Sequence, residues 1–139
     1  MQVVLDANCL IAGTLAASGA TSRLLDLWRD GAFELIACSR LIEEVRGALV
    51  DPRIARRYSI TAQEVAELCR RIEEESIWGP DPGDPPRRVP NDPGDDYLVA
   101  LALENDAEVL VARDRHFDGL TFPRLQIQFS GVFLAQLER

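Results

Sequence analysis

A set of carboxylates stands where a folded chain could bring them together. Asp6 directly follows the apolar run Val3-Val4-Leu5, and Asp114 comes shortly after Val109-Leu110-Val111. In open parallel sheets the ligand crevice lies beyond the carboxyl ends of the strands. We therefore expect both acids at one rim of a sheet. Crowded carboxylates repel one another unless a cation binds, and hard oxygen ligands suit Mg²⁺ or Mn²⁺.

Helical spacing selects Glu44 over its neighbour Glu43. Adjacent residues of a helix point roughly 100° apart, so only one of the two can readily face a site. Glu44 comes three residues after Leu41 and four before Ala48 and flanks the predicted buried stripe, whereas Glu43 projects away from it. Glu44 is thus the predicted ligand, and Glu43 fits a solvated helix face.

The same spacing separates Asp95 from Asp96. Apolar residues follow Asp95 at three, four and seven positions, which places it on the inward stripe at a helix start. Asp96 faces more sideways and is expected to add a second or water-mediated metal contact. Asp92 is most simply the residue that caps this helix.

Each acid taken alone has an ordinary structural explanation. Asp6 could simply cap the next helix, and Asp114 could belong to a turn with flanking ion pairs. A helix dipole also favours an acid at the position of Asp95. The hypothesis of a metal site therefore depends on the whole set of acids.

The apolar pattern predicts the elements that would position these acids. Strands are expected at residues 3–5, 33–37, 77–78, 109–111 and 125–129. Helices are expected at 22–29, at 39–49 with Ser39 as N-cap, from a capping box of Thr61 and Glu64, from 92 to about 105, and at 132–137. Residues 79–93 are rich in proline and glycine and predict a loop. This alternation predicts one α/β domain over residues 1–139 with a mainly parallel sheet.

Composition limits the class of protein. The formal net charge of -8 argues against binding nucleic acid by bulk electrostatics, although cations held by carboxylates could meet phosphates. Three cysteines without CxxC spacing fit buried apolar positions better than disulfides or a zinc site. No secretory signal or membrane-spanning run is evident, so a cytoplasmic location is expected.

The acidic motifs resemble those of the PIN-domain family. Val3-Val4-Leu5-Asp6-Ala7-Asn8 is similar to the opening strand and D-x-N motif of that family. The stretch 39–49 resembles its helix with an acid at the position of Glu44. Residues 92–102 resemble its D-P-x-D-D helix, and 109–114 its strand ending in V-x-x-D. The motifs occur in the family's order and cover most of the chain.

The resemblance implies a three-layer α/β/α fold and a Mg²⁺- or Mn²⁺-dependent ribonuclease, often the toxin of a bacterial toxin-antitoxin pair. Asp6, Glu44, Asp95 and Asp114 would form its acidic cluster, and RNA would be hydrolysed by water that a bound cation activates. A cognate antitoxin and a homodimer are the implied partners. One departure is Ala112, where many members have Thr or Ser.

Other side chains fit less specific roles. His116 is the one histidine, but carboxylates and a cation do not require an imidazole. Arg53, Arg56 and Arg57, and the loop residues Arg87 and Arg88, could contact RNA phosphates or simply pair with surface acids. Trp28 and Trp78 are expected in the core or an interface.

Two other functions compete with the nuclease hypothesis. A PIN-like module without catalysis, binding RNA or a protein, is suggested by Ala112 and the acidic charge. A phosphotransfer protein of receiver or phosphatase type would also gather aspartates at strand ends. Such proteins typically need a lysine near the phosphoryl group, and every basic residue here other than His116 is arginine.

Overall fold

The computed structural model describes residues 1–90, 92–113 and 115–139. Its strands are β1 (Gln2–Leu5), β2 (Glu34–Ala37), β3 (Ile77–Trp78), β4 (Val109–Ala112) and β5 (Gln126–Phe129). Its α-helices are α1 (Ala7–Leu15), α2 (Ala20–Arg29), α3 (Ser39–Leu49), α4 (Pro52–Tyr58), α5 (Ala62–Glu75), α6 (Asp96–Glu104) and α7 (Ser130–Leu137). A 3₁₀ turn, Pro93–Asp95, leads into α6.

The strands form one sheet in the order β3-β2-β1-β4-β5, and every pairing is parallel. The prediction of a mainly parallel sheet is confirmed. β1 and β4 lie at its centre, in register from Val3 opposite Val109 to Leu5 opposite Val111. Their side chains are buried on both faces, which explains why each reads as a continuous apolar run.

Helices cover both faces of the sheet, as the three-layer expectation requires. The chain steps from β1 to β2 to β3 and then crosses back through α6 to β4 on the other side of β1. Because parallel crossovers are right-handed, this reversal puts α6 on the face opposite the earlier helices. There α6 packs on β1, β2 and β4, while α7 returns to contact α2. The reversal lies between β1 and β4, the strands that Asp6 and Asp114 follow.

Tertiary contacts shift several predicted helix boundaries. Ser39 is the first residue of α3 rather than its cap; Cys38 holds the cap position with an extended backbone and no side-chain cap bond. Asp81, which is distant in the sequence, supplies the acceptor instead: its Oδ1 accepts from the backbone N–H of Arg40 at 2.9 Å. At the start of α5 the prediction holds, since Thr61 and Glu64 form the expected capping box.

Two helices were absent from the sequence prediction. Asp51 caps α4, a helix missing from that prediction, by accepting from the N–H of Arg53. Helix α4 buries none of its residues, so apolar periodicity could not reveal it. Helix α1 follows Asp6 and is apolar almost all round, which likewise hides a helical period.

The core confirms the expected role of the cysteines. Cys9, Cys38 and Cys69 are buried and form no disulfide. Trp28 is buried in the core, whereas Trp78 on the edge strand β3 is 45% exposed. Across the part of the chain described, no helix combines the length and apolarity that crossing a bilayer would need.

Candidate metal centre

Asp6 lies between β1 and α1, and its carboxylate contacts both the first turn of α1 and the residue after β4. Its Oδ1 accepts from the N–H of Cys9 at 2.7 Å, which is the side-chain cap of α1. Its Oδ2 lies 3.3 Å from the N–H of Arg113, the residue that follows β4. Asp6 is only 3% exposed. The simple capping explanation is therefore correct, yet it coexists with a place at the carboxyl edge of the two central strands.

Glu44 reaches the same edge from α3. It lines a small cleft of about 120 Å³, and its carboxylate lies close to Tyr97 on α6. Burial first, and the negative charge of Glu44 second, raise the pKa of Tyr97 far above its ordinary value. Glu43 does not line the cleft. The structure thus separates the two glutamates in the way that helical spacing suggested.

Asp92 precedes the 3₁₀ turn before α6, and Asp95 is the last residue of that turn. Asp92 acts as the predicted N-cap, since its Oδ1 accepts from the N–H of Gly94 at 3.0 Å. It caps the 3₁₀ turn, however, and the α-helix begins only at Asp96. Both Asp92 and Asp95 line the cleft with Asp6, Glu44 and Asn8.

His116 joins this acidic turn from beyond β4. Its Nδ1 lies 3.4 Å from Asp95 Oδ2 and 3.5 Å from Asp92 Oδ2. Asp92, Asp95 and His116 each offer one ligand atom, and these atoms lie within 4.8 Å of one another. Neither Asp92 nor His116 was predicted as a ligand from the sequence. A histidine two residues after Asp114 was the available signal, but only the fold turns it towards Asp95.

The electrostatics of the cleft centre on Asp95. Its pKa is raised from 3.8 to about 6, chiefly by desolvation and then by the charge of Asp92. The hydrogen bond with His116 lowers the pKa, whereas the more distant charges of Asp6 and Glu44 raise it further. The charges of Asp6, which follows β1, and of Glu44 on α3 therefore reach the turn before α6.

Two residues of the predicted ligand set remain, Asp96 and Asp114. Asp114 lies outside the described residues. Asp96 does not line the cleft; it is 1% exposed, and its Oδ1 accepts from the N–H groups of Arg88 and Val89 at 2.8 and 2.7 Å. The structure thus brings together Asp6, Glu44 and Asp95 of the predicted set, adds Asp92 and His116, and uses Asp96 elsewhere.

Arg40 is a cation beside the cleft that the sequence argument missed. Its guanidinium lies 4.2 Å from the centre of the Tyr97 ring, and its Nη2 donates to the carbonyl of Gly94 at 3.4 Å. The arginines singled out from the sequence are in part engaged with acids. Arg53 pairs with Asp51, and Arg87 lies 3.5 Å from Asp96.

A comparison with family models places this geometry in context. The PIN domain model matches residues 2–116, which include every acid of the cleft. No curated protein matches the chain. PIN domains are generally nucleases and use divalent metals. The all-parallel sheet, the acids gathered at the carboxyl edge of its strands and the matched span agree, and the chain belongs to the PIN domain family.

Proposed function

We propose that this protein is a metal-dependent endoribonuclease that hydrolyses RNA phosphodiesters. The single observation that carries the proposal is the convergence of Asp6, Glu44, Asp92 and Asp95 on one cleft of about 120 Å³. The carboxylates come from three separate parts of the fold. Helix capping explains Asp6 and Asp92 one at a time, but it does not explain why all four carboxylates converge.

The cleft suits a divalent cation. Carboxylate oxygens are the ligands that Mg²⁺ and Mn²⁺ prefer, and an imidazole nitrogen is also acceptable to Mn²⁺. Desolvation first, and the negative charge of Asp92 second, raise the pKa of Asp95, and a bound cation would offset both effects. Asp6, Glu44, Asp92, Asp95 and His116 are the described residues that would hold the ion, and Asp114 is proposed to complete the set.

When bound, the cation would activate water and offset the charge that builds on the phosphate. The chain's own residues fix the arrangement. The N–H groups of Cys9 and Arg113 hold Asp6 in place, so its carboxylate is oriented before any ligand arrives. Asn8 lines the same cleft. Arg40, fixed on Tyr97, supplies positive charge near the acids.

The wider biological role is proposed from family membership alone. We propose that the protein is the toxin of a bacterial toxin-antitoxin pair, acts in the cytoplasm and forms a homodimer. An antitoxin segment would fill the acidic cleft with Arg or Lys side chains. A small reading frame beside the gene, and a tight complex of the two products on co-expression, would support this role.

A PIN-like module without catalysis is the second candidate. It is favoured by Ala112, which ends β4 as a buried methyl group where many members carry a hydroxyl. Such a module would bind RNA or a partner protein without metal and without turnover.

An RNA cleavage assay in Mg²⁺, Mn²⁺ or EDTA distinguishes the two candidates. The nuclease should cleave only with metal, and Asp95→Asn and Glu44→Gln should each lose at least about a hundredfold in rate. Glu43→Gln is the matched control, because it removes an adjacent carboxylate that does not line the cleft. Cleavage that survives in EDTA, or in both cleft variants, would remove the basis of the proposal. RNA binding without cleavage would favour the module.

A further inference from the structure

Asp96 is a buried carboxylate whose oxygens are directed at a loop. Both N–H groups of the consecutive residues Arg88 and Val89 donate to its Oδ1, and Arg87 Nε lies 3.5 Å from its Oδ2. The Asp96 side chain is 2% exposed, whereas that of Arg87 is 76% exposed. A buried charge is costly unless it is paired and hydrogen-bonded, so these contacts account for its presence.

The loop that Asp96 holds is the proline-rich segment 79–90, which lacks regular secondary structure. Its buried backbone donors therefore need acceptors from elsewhere in the fold. Val89 is almost fully buried at the attachment point. At the other end of the segment, Asp81 accepts from the N–H of Arg40. Two carboxylates thus connect the loop to the two helices beside the cleft. One helix is α3, which carries Glu44, and the other is α6, which follows Asp95.

We propose that Asp96 is a positioning residue that anchors the 79–90 loop and thereby presents Arg87 to the RNA backbone beside the acidic cleft. This inference rests on the proposed function for its RNA ligand. Asp96 directly follows Asp95 in the chain, so an arginine paired with Asp96 is within reach of the acidic turn, and the Arg87 side chain is 76% exposed. A phosphate leading into the cleft would meet this cation, and a guanidinium is well suited to pair with it.

Two variants of Asp96 separate an anchor from a metal ligand. Asp96→Asn keeps an oxygen that can accept from both N–H groups, whereas Asp96→Ala removes it. Hydrogen exchange of the Arg88 and Val89 amides should therefore accelerate about tenfold or more in Asp96→Ala and stay near wild type in Asp96→Asn. Asp84→Ala, an exposed acid of the same loop, is the matched control and should leave exchange unchanged.

RNA and metal affinities complete the test. A fluorescent single-stranded RNA, titrated in EDTA so that no cleavage is required, should bind severalfold more weakly to Asp96→Ala and to Arg87→Gln than to wild type. Mn²⁺ affinity should stay within about threefold of wild type in Asp96→Asn, since losses of tenfold or more mark groups that hold or orient a ligand. Asp95→Asn provides the reference for a lost ligand.

Three results would overturn the inference: unchanged amide exchange in Asp96→Ala, unchanged RNA affinity in Arg87→Gln, or a loss of Mn²⁺ affinity in Asp96→Asn as large as that in Asp95→Asn. A wild-type protein that binds RNA but never cleaves it would defeat the proposed function alone. The exchange and RNA-binding measurements would still decide the role of Asp96.

Discussion

The imidazole of His116 lies against the carboxylate of Asp95, with 3.4 Å between Nδ1 and Oδ2. This contact joins the segment after β4 to the turn before α6, and it opposes the repulsion from Asp92. His116→Ala should therefore raise the pKa of Asp95 above its value of about 6 and weaken Mn²⁺ binding about tenfold near pH 6. Calorimetric titration at pH 6 and 7.5 measures the effect.

Arg115→Ala is the control for His116, because Arg115 lies next to it and pairs with the exposed Asp118. Its Mn²⁺ affinity should equal that of wild type. If His116→Ala also bound Mn²⁺ as tightly as wild type at both pH values, the imidazole would have no part in the site.

The raised pKa of Asp95 predicts a pH dependence of the ion-free protein. The folded state holds the Asp95 proton more tightly than the unfolded chain does, where the pKa is near 3.8. The contribution of Asp95 to the free energy of unfolding should therefore fall as pH rises from about 4 to about 6 and stay low above that. Asp95→Asn should be more stable than wild type at pH 7 by on the order of 2 kcal/mol.

Urea unfolding in EDTA across this pH range tests the prediction. The stability difference between Asp95→Asn and wild type should shrink towards pH 4.5, while Asp84→Asn should follow wild type throughout. A constant difference at every pH would mean that Asp95 titrates normally in the folded protein.

The packing of α1 on α2 predicts an unfavourable Gly13→Ala substitution. A methyl group at Gly13 would lie 2.7 Å from the carbonyl oxygen of Thr21 and 2.9 Å from Leu25. Alanine normally stabilises a helix interior, but this clash should instead destabilise the protein by about 1–3 kcal/mol. Gly47→Ala on α3 meets open space and should stabilise it by about 0.5–1 kcal/mol. Thermal unfolding of the Gly13→Ala and Gly47→Ala variants measures both changes in stability. A stabilising Gly13→Ala would contradict the close packing of Gly13 on Thr21 and Leu25.

The contact of Arg40 with the Tyr97 ring predicts a stabilising role for this surface arginine. Arg40→Ala removes the cation–π contact and the hydrogen bond to Gly94 and should cost about 1 kcal/mol. Arg46→Ala on the same helix loses an exposed ion pair with Glu73 and a weak contact with the Cys69 thiol, and it should cost less than about 0.5 kcal/mol. Equal costs in urea unfolding would show that the stacking adds nothing.

The sequence by itself determined the parallel α/β architecture and the acids at strand ends. Buried strands such as Val109–Ala112 have no polar alternation, and a strand followed by Asp6 places that acid at the sheet edge through local connectivity. Helical spacing favoured Glu44 over Glu43, because the direction of a side chain on a regular helix depends on its position. The same argument did not hold for Asp95 and Asp96, because Asp95 ends a 3₁₀ turn and Asp96, at the start of α6, is the more buried of the two.

Only the tertiary structure decided what each of these acids contacts. The contact of Asp96 with the loop depends on the N–H groups of Arg88 and Val89. These residues lie in a segment without helical or strand periodicity, so the sequence pattern could not indicate them. The approach of His116 to Asp95 depends on how β4 lies beside β1. Spacing fixes the direction of a side chain within its own element, but its partners come from distant parts of the chain that packing alone brings near.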